Sequence, residues 1–245
     1  MANYCKVYVI TEGEWQSEIE EALKELPQAK NIVFYYNPVS DKIRKMCWNQ
    51  GDWRFYYYYK KWQKSTLLFT NEIIKVNPID VIHQLNMIGF REPGFLWKIK
   101  SKPFIWGPID AKQKFPTAYL EGSSLKSKIF IYLKNGLTYL QLRFSYRVKT
   151  AILNSSVVVS ASSDSVQTVK KFYDVDSVLI NETGCSVREV LLNKETKNSN
   201  TLHLLWIGKF EFRKQLKLAL QTLASLRKKN IVLHIVGGDD NLTQV

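Results

Sequence analysis

"LHLLWIGKFEFRKQLKLALQTLASL", residues 202–226, decides the fold. Mostly apolar residues run up to Gly208, a short loop carries Lys209, Arg213 and Lys214, and Leu216, Ala219, Leu220 and Leu223 then recur at helical steps. "IVLHIVGG", residues 231–238, adds a second strand, so residues 202–238 predict one βαβ unit. A glycine at a strand's end takes no room for a Cβ, and the following helix points its positive N-terminal end at the same space. With cations beside it, that is a place for phosphate. Gly237 and Gly238 end the second strand and open onto the same edge. The segment has neither GxxxxGK[ST] nor GxGxxG, so it is not a P-loop or a dinucleotide fingerprint, and a solvated helix start between two glycine turns fits the same pattern.

Upstream, strands and helices alternate in the same way. "KVYVIT" and "NIVFYY" read as strands around a Glu-rich helix from Glu14 to Leu26, and residues 37–50 read as irregular. A long aromatic helix starts at Trp53, followed by strands "DVIHQL" and "KPFIWGP". In the stretch from Lys126 to Val148, Phe130, Leu133, Leu137, Leu140, Phe144 and Val148 recur at three- and four-residue steps, which predicts one amphipathic helix. "SVVVSA" is a strand leading to a helix capped by Ser162 or Ser163, and "DSVLI" is another strand. The polar run at residues 191–200 is the linker. The expected organisation is α/β: a Rossmann-like parallel-sheet domain over residues 1–192, a linker at 193–198, and the βαβ start of a second Rossmann-like domain over 199–245.

Composition narrows the partners. At 45% hydrophobic and 23% charged, the 245 residues supply a globular core. A net charge of +13 repels itself unless an anion is near, so nucleic acid, anionic lipid or a phosphorylated ligand is expected. Cysteines 5, 47 and 185 form no CxxC pair and no zinc spacing, which fits a reducing, cytoplasmic setting. No window has the apolar length of a membrane span, and the N-terminus has no basic and apolar leader pattern, so an integral or secreted protein is not expected.

The 202–226 stretch resembles the hallmark of glycosyltransferase family four, in which a strand ends in G-[RK]-[LF] and a Lys follows six residues after the glycine. Here these are Gly208, Lys209, Phe210 and Lys214, and "LHIVGGDD" is similar to the next strand and its glycine turn. "PIDVIHQLNMIGFREPGFLWKIKSKPFIWGP", residues 78–108, resembles one branch of that family, and "VLINETGCS", residues 178–186, resembles the loop closing its first domain. The resemblance implies a GT-B fold and transfer of a sugar from a nucleotide diphosphate sugar to a glycan or lipid-linked acceptor in polysaccharide biosynthesis. Transfer would retain configuration and need no essential metal or resident cofactor. It also implies that Gly208, Lys209, Lys214, Gly237 and Gly238 bind the donor, that His83 is catalytic, and that Gly107, Pro108, Glu182 and Gly184 line the acceptor cleft.

Several positions depart from the pattern. Asp110 and Ala111 stand where the branch usually has glycines, and Leu85 stands where some members carry the second histidine of H-x-H. The chain opens at what the resemblance makes a later strand and ends before an E-x7-E motif, so a fragment of the two-domain enzyme, inactive alone, is expected. Two further signals have their own readings. The aromatic and cationic run from Trp53 is either a base-stacking platform or a helix packed under a sheet; without an RNP, KH or OB pattern, nucleic acid is not the expected partner. The 126–148 helix, flanked by Lys126, Lys128, Lys134, Arg143, Arg147 and Lys149, suits either an anionic membrane surface on the inner face or a core with a solvated rim. A non-catalytic nucleic-acid-binding or membrane-surface module is the alternative to sugar transfer. His203 and His234 lie in strands expected to be buried.

Overall fold

A computed structural model describes residues 1–47, 54–85, 87–111, 114–120, 123–184, 201–210, 214–226 and 230–238. The proposed linker, Trp53, Arg213 and Cys185 lie outside the described residues. The chain divides into two compact units: Met1–Pro116 with Ile129–Gly184, and Thr117–Lys128 with Cys185–Val245.

The first unit is α/β with parallel sheets, compatible with a Rossmann-like fold. Strands β1 (Val7–Thr11) and β2 (Ile32–Tyr36) flank helix α1 (Gln16–Glu25) and pair in parallel, Val7 opposite Ile32. Helices α2 (Asp41–Cys47) and α3 (Arg54–Val76) lead to β3 (Ile82–Gln84) and β4 (Phe104–Ile109). Then come α4 (Leu125–Phe144), α5 (Tyr146–Leu153), β5 (Val157–Ser160), α6 (Ser163–Tyr173) and β6 (Val178–Leu179). The four strands β3-β4-β5-β6 form one parallel sheet in that order.

β4 is apolar on both faces because a central parallel strand is covered from both sides. Phe104, Trp106 and Ile109 are fully buried in it, against Val158 of β5, Ala151 and Ile152 of α5, and Val169 of α6. Ser162 caps α6 by accepting from Ser165 N at 3.3 Å. Tyr173 Oη donates to Leu142 O at 2.7 Å and ties α6 to α4. Burial pushes the Tyr173 phenol up to about 12.

Three expectations change. Residues 41–47 are helical rather than irregular: Arg44 closes a turn onto Ser40 O, and its guanidinium bonds Glu12 Oε1 at 2.8 Å and Asp41 Oδ1 at 3.1 Å. The single helix expected over 126–148 is two, because Ser145 leaves the helical conformation and its hydroxyl accepts from Val148 N at 3.4 Å, starting α5. The expected stripe splits with it. Val148 is buried, whereas Phe130, Leu133, Leu137, Leu140 and Phe144 are each at least half exposed; α4 packs instead through Ile131, Thr138 and Leu142. Finally, the buried stripe of α3 is Gln63, Thr66, Thr70 and Ile73. Its aromatics are divided: Tyr56 and Tyr57 are exposed, while half-buried Tyr59 stacks on Phe55 and Trp62, and loss of solvent around its phenol pushes it up to about 12.

The second unit contains β7 (Leu202–Ile207), α7 (Leu216–Ser225) and β8 (Ile231–Val236), a parallel βαβ with Leu202 opposite Ile231. Leu204, Trp206, Ile231 and Leu233 are half-buried, and none of its helix residues is fully buried. Leu220, expected to face the sheet, is exposed. Among the described residues no helix is long and apolar enough to cross a membrane.

Candidate functional site

In the second unit the two strands end in a backbone-to-backbone contact. Gly208 N donates to Val236 O at 3.0 Å, which prolongs the ladder past β7, and Phe210 N reaches Gly238 O at 3.4 Å. A Cβ on Gly237 would overlap the carbonyl oxygen of Gly208, so this approach needs glycine. A Cβ on Gly238 would meet nothing within 4 Å.

The space above Gly208 belongs to a residue the sequence reading passed over. The Trp206 indole would lie 3.1 Å from a Cβ on Gly208 and 3.3 Å from one on Gly237. It stacks on Phe210 with ring centroids 6.0 Å apart, and its Nε1 points at Lys214 O at 3.4 Å. Alternation along β7 could have found it, since half-buried Leu204 and Trp206 alternate with exposed His203, Leu205 and Ile207.

Lys209 and Lys214 are both exposed beside this floor. Lys214 precedes α7, as its place in the loop implies: Gln215 is left-handed at φ 52° and ψ 37°, and the helix begins only at Leu216. Gln215 Nε2 instead reaches Tyr119 O at 3.5 Å. The N-terminal N–H groups of α7 and the Lys214 ammonium thus come from separate segments, and an anion here would be held by two lysines over a glycine and indole floor.

His203 and His234 are exposed rather than buried. They lie on the face of the two-stranded sheet opposite Trp206, stacked with His203 Nδ1 2.9 Å from His234 Nε2. The expectation failed because, among the described residues, that face of the two-stranded sheet is left open: Leu205, Ile207 and Val232 on it are exposed as well.

In the first unit, His83 and Gly107 are brought together and Glu182 and Gly184 are not. His83 on β3 donates from Nε2 to Gly107 O at 2.7 Å, since a carbonyl can only accept, and this leaves Nδ1 as the basic nitrogen. Gly107 has φ 133°, and a Cβ there would overlap Val159 O of β5; it faces the neighbouring strand, followed by Pro108 through a cis bond. Glu182 and Gly184 follow β6 at the far edge of the sheet and are exposed.

Asp110 and Ala111, at the end of β4, are tied to the start of α6. Ser165 Oγ donates to Asp110 Oδ1 at 2.9 Å and accepts from Ala111 N at 2.9 Å. Glu12, at the end of β1, accepts from Val39 N at 2.9 Å as well as from Arg44. Burial pushes its carboxyl upward, but these hydrogen bonds outweigh burial and hold it below the usual range. No group of three or more His, Cys, Asp or Glu side chains among the described residues is placed to hold a metal ion.

No protein-family model matches the chain, and no curated protein sequence matches it.

Proposed function

We propose that the chain belongs to glycosyltransferase family four, with a GT-B-type fold, and that its activity is transfer of a sugar from a nucleotide diphosphate sugar to a glycan or lipid-linked acceptor. The observation that carries this reading is the carboxyl end of the second unit's βαβ. Gly208 and Gly237 lie backbone against backbone there, with Lys209 and Lys214 exposed beside them. These are the residues on which the resemblance rests, and a diphosphate takes both a close backbone and mobile cations. The lysines would stabilise the negative charge that develops on the departing diphosphate. Calorimetric titration with uridine, guanosine and adenosine diphosphates tests the reading: binding of at least one, lost on changing Lys214, is expected, and heat-silent titrations of all three would remove it.

A second reading concerns where the enzyme works. The exposed apolar stripe of α4, from Ile129 to Phe144, carries Lys126, Lys134 and Arg143 along its margins. Large exposed apolar patches rimmed by charge mark interaction surfaces, and cations beside apolar side chains suit an anionic bilayer. On this reading the protein is peripheral, on the cytoplasmic face, where a lipid-linked acceptor would be met.

A further inference from the structure

The chain has three histidines, and two of them meet. In the parallel ladder of the second unit, His203 of β7 stands opposite Val232, and His234 of β8 stands opposite Leu205. The two histidines are therefore diagonal neighbours on one face of the sheet, and both are exposed there. The diagonal offset explains which nitrogens come together. The near nitrogen of His203, Nδ1, meets the far nitrogen of His234, Nε2, at 2.9 Å, with the ring planes 23° apart.

A single proton between the two nitrogens accounts for the contact as a hydrogen bond. The same pair is also a donor set, since each neutral imidazole offers one lone pair and histidine is the commonest metal ligand. Two nitrogens that each lie about 2.0 to 2.1 Å from one ion stand about 2.9 Å apart when their bonds meet at a right angle, and about 3.3 Å apart at the tetrahedral angle. The observed spacing of 2.9 Å is the right-angled one. Square-planar and tetragonal coordination by nitrogen and oxygen belongs to Cu²⁺ and Ni²⁺, whereas Mg²⁺ and Ca²⁺ take oxygen ligands.

We infer that His203 and His234 form a surface site for a late first-row divalent metal ion, Cu²⁺ or Ni²⁺ ahead of Zn²⁺, with water or a third ligand in the remaining positions. Nδ1 of His203 and Nε2 of His234 bind the ion side by side. The proton now between them is not lost: the ring that carries it passes it through solvent to its own other nitrogen, which leaves two neutral rings, each with one lone pair for the metal. The paired backbones of β7 and β8 hold both rings in place before the ion arrives. The other nitrogen of each ring has no hydrogen-bond partner among the described residues, so the outer support that tightens metal-bound histidines is missing and the ion exchanges readily. The net charge of +13 repels cations, so an ion is held here only by bonds to imidazole. The inference rests on the sheet of the second unit and is independent of sugar transfer.

Calorimetric titration of the untagged 245-residue chain with Ni²⁺ tests it. One ion should bind per chain, and His203→Gln and His234→Gln should each weaken binding by about tenfold or more. His83→Gln, in the first unit, should stay within about threefold of the parent, and Mg²⁺ should give no heat. Both site variants change exposed side chains, so their circular dichroism should match the parent's. Saturating Ni²⁺ should raise the urea midpoint of the parent and of neither variant, because an ion that binds only the folded chain stabilises it. Undiminished binding in both variants would place the ion elsewhere, and loss in only one would reduce the site to a single imidazole. No heat from Ni²⁺ up to about 1 mM would leave the pair as a hydrogen bond alone, and equal heat from Mg²⁺ would remove the role of imidazole. Each of these four results overturns the inference.

Discussion

His83 Nε2 and the carbonyl oxygen of Gly107 lie 2.7 Å apart, a side-chain bond between adjacent parallel strands that fixes the ring's tautomer. The histidine proposed for catalysis is thus also a strut between β3 and β4. Changing His83 to Ala should lower the stability of the first unit by about 1 kcal/mol, the usual net value of a hydrogen bond. Urea unfolding followed by tryptophan fluorescence reads this, and an unshifted midpoint would mean that the bond does not form in solution.

Two glycines should respond in opposite directions to alanine. At Gly107 a Cβ would overlap Val159 O, and φ of 133° is a region that alanine rarely adopts, so Gly107→Ala should cost about 3 kcal/mol or more. Gly136 lies inside α4, and a Cβ there would meet nothing within 4 Å. Gly136→Ala should therefore stabilise by about 0.5 to 1 kcal/mol through helix propensity alone. Thermal melts of the pair decide it, and a Gly107 variant melting with the parent would refute the close packing of β4 on β5.

Alkali should unfold the first unit through its phenols. Burial raises the folded-state values of Tyr59 and Tyr173 to about 12, against about 10 for an exposed tyrosine. A raised value means the folded state holds its proton longer, so this contribution is complete below pH 10 and is lost as pH rises from about 10 through 12. Tyr173→Phe also gives up the bond to Leu142 O, so it should be less stable at pH 8, with less further loss above pH 10. Parallel losses in parent and variant across that window would show the phenol to be solvated.

How much of this was legible follows the physics of each signal. Continuous apolar runs mark buried parallel strands, and "VYVIT", "IVFYY" and "FIWGPI" all became strands. Residues 41–47 have no apolar period, and that helix depends on Arg44 reaching Glu12, a contact 32 residues away in sequence. The apolar period from Phe130 to Val148 runs straight through Ser145, so it hid a break that a single side-chain cap creates. At the proposed phosphate site, glycines and cations were visible as residue types. The left-handed turn at Gln215 and the indole over Gly208 depend on backbone conformation and on strand facing, which residue type alone does not convey.

The exposed stripe of α4 should bring the protein to anionic vesicles. Each cation near such a surface contributes about 1 kcal/mol, so Lys126→Glu, Lys128→Glu and Lys134→Glu together should abolish cosedimentation with vesicles of phosphatidylserine and phosphatidylcholine. Phe130→Ser with Leu137→Ser should weaken it at unchanged net charge, because both side chains are exposed in the free protein. Retention of both variants would assign the stripe to another role.

Lys214 separates a diphosphate site from a solvated loop. Its ammonium stands outside α7, so it owes nothing to the helix and its removal should leave the fold intact. A charge-assisted contact to a diphosphate contributes roughly 1.5 to 3 kcal/mol, whereas a solvated lysine contributes about 0 to 1. Lys214→Ala should therefore weaken binding of the preferred nucleoside diphosphate by about tenfold or more. Lys217→Ala, on the exposed side of α7, changes the net charge equally and should weaken it by less than about threefold. Equal losses in the two variants would reduce the effect to long-range charge. An unchanged affinity for Lys214→Ala, beside an unchanged melting temperature, would end the assignment of Gly208, Lys209 and Lys214 to a phosphate-binding role.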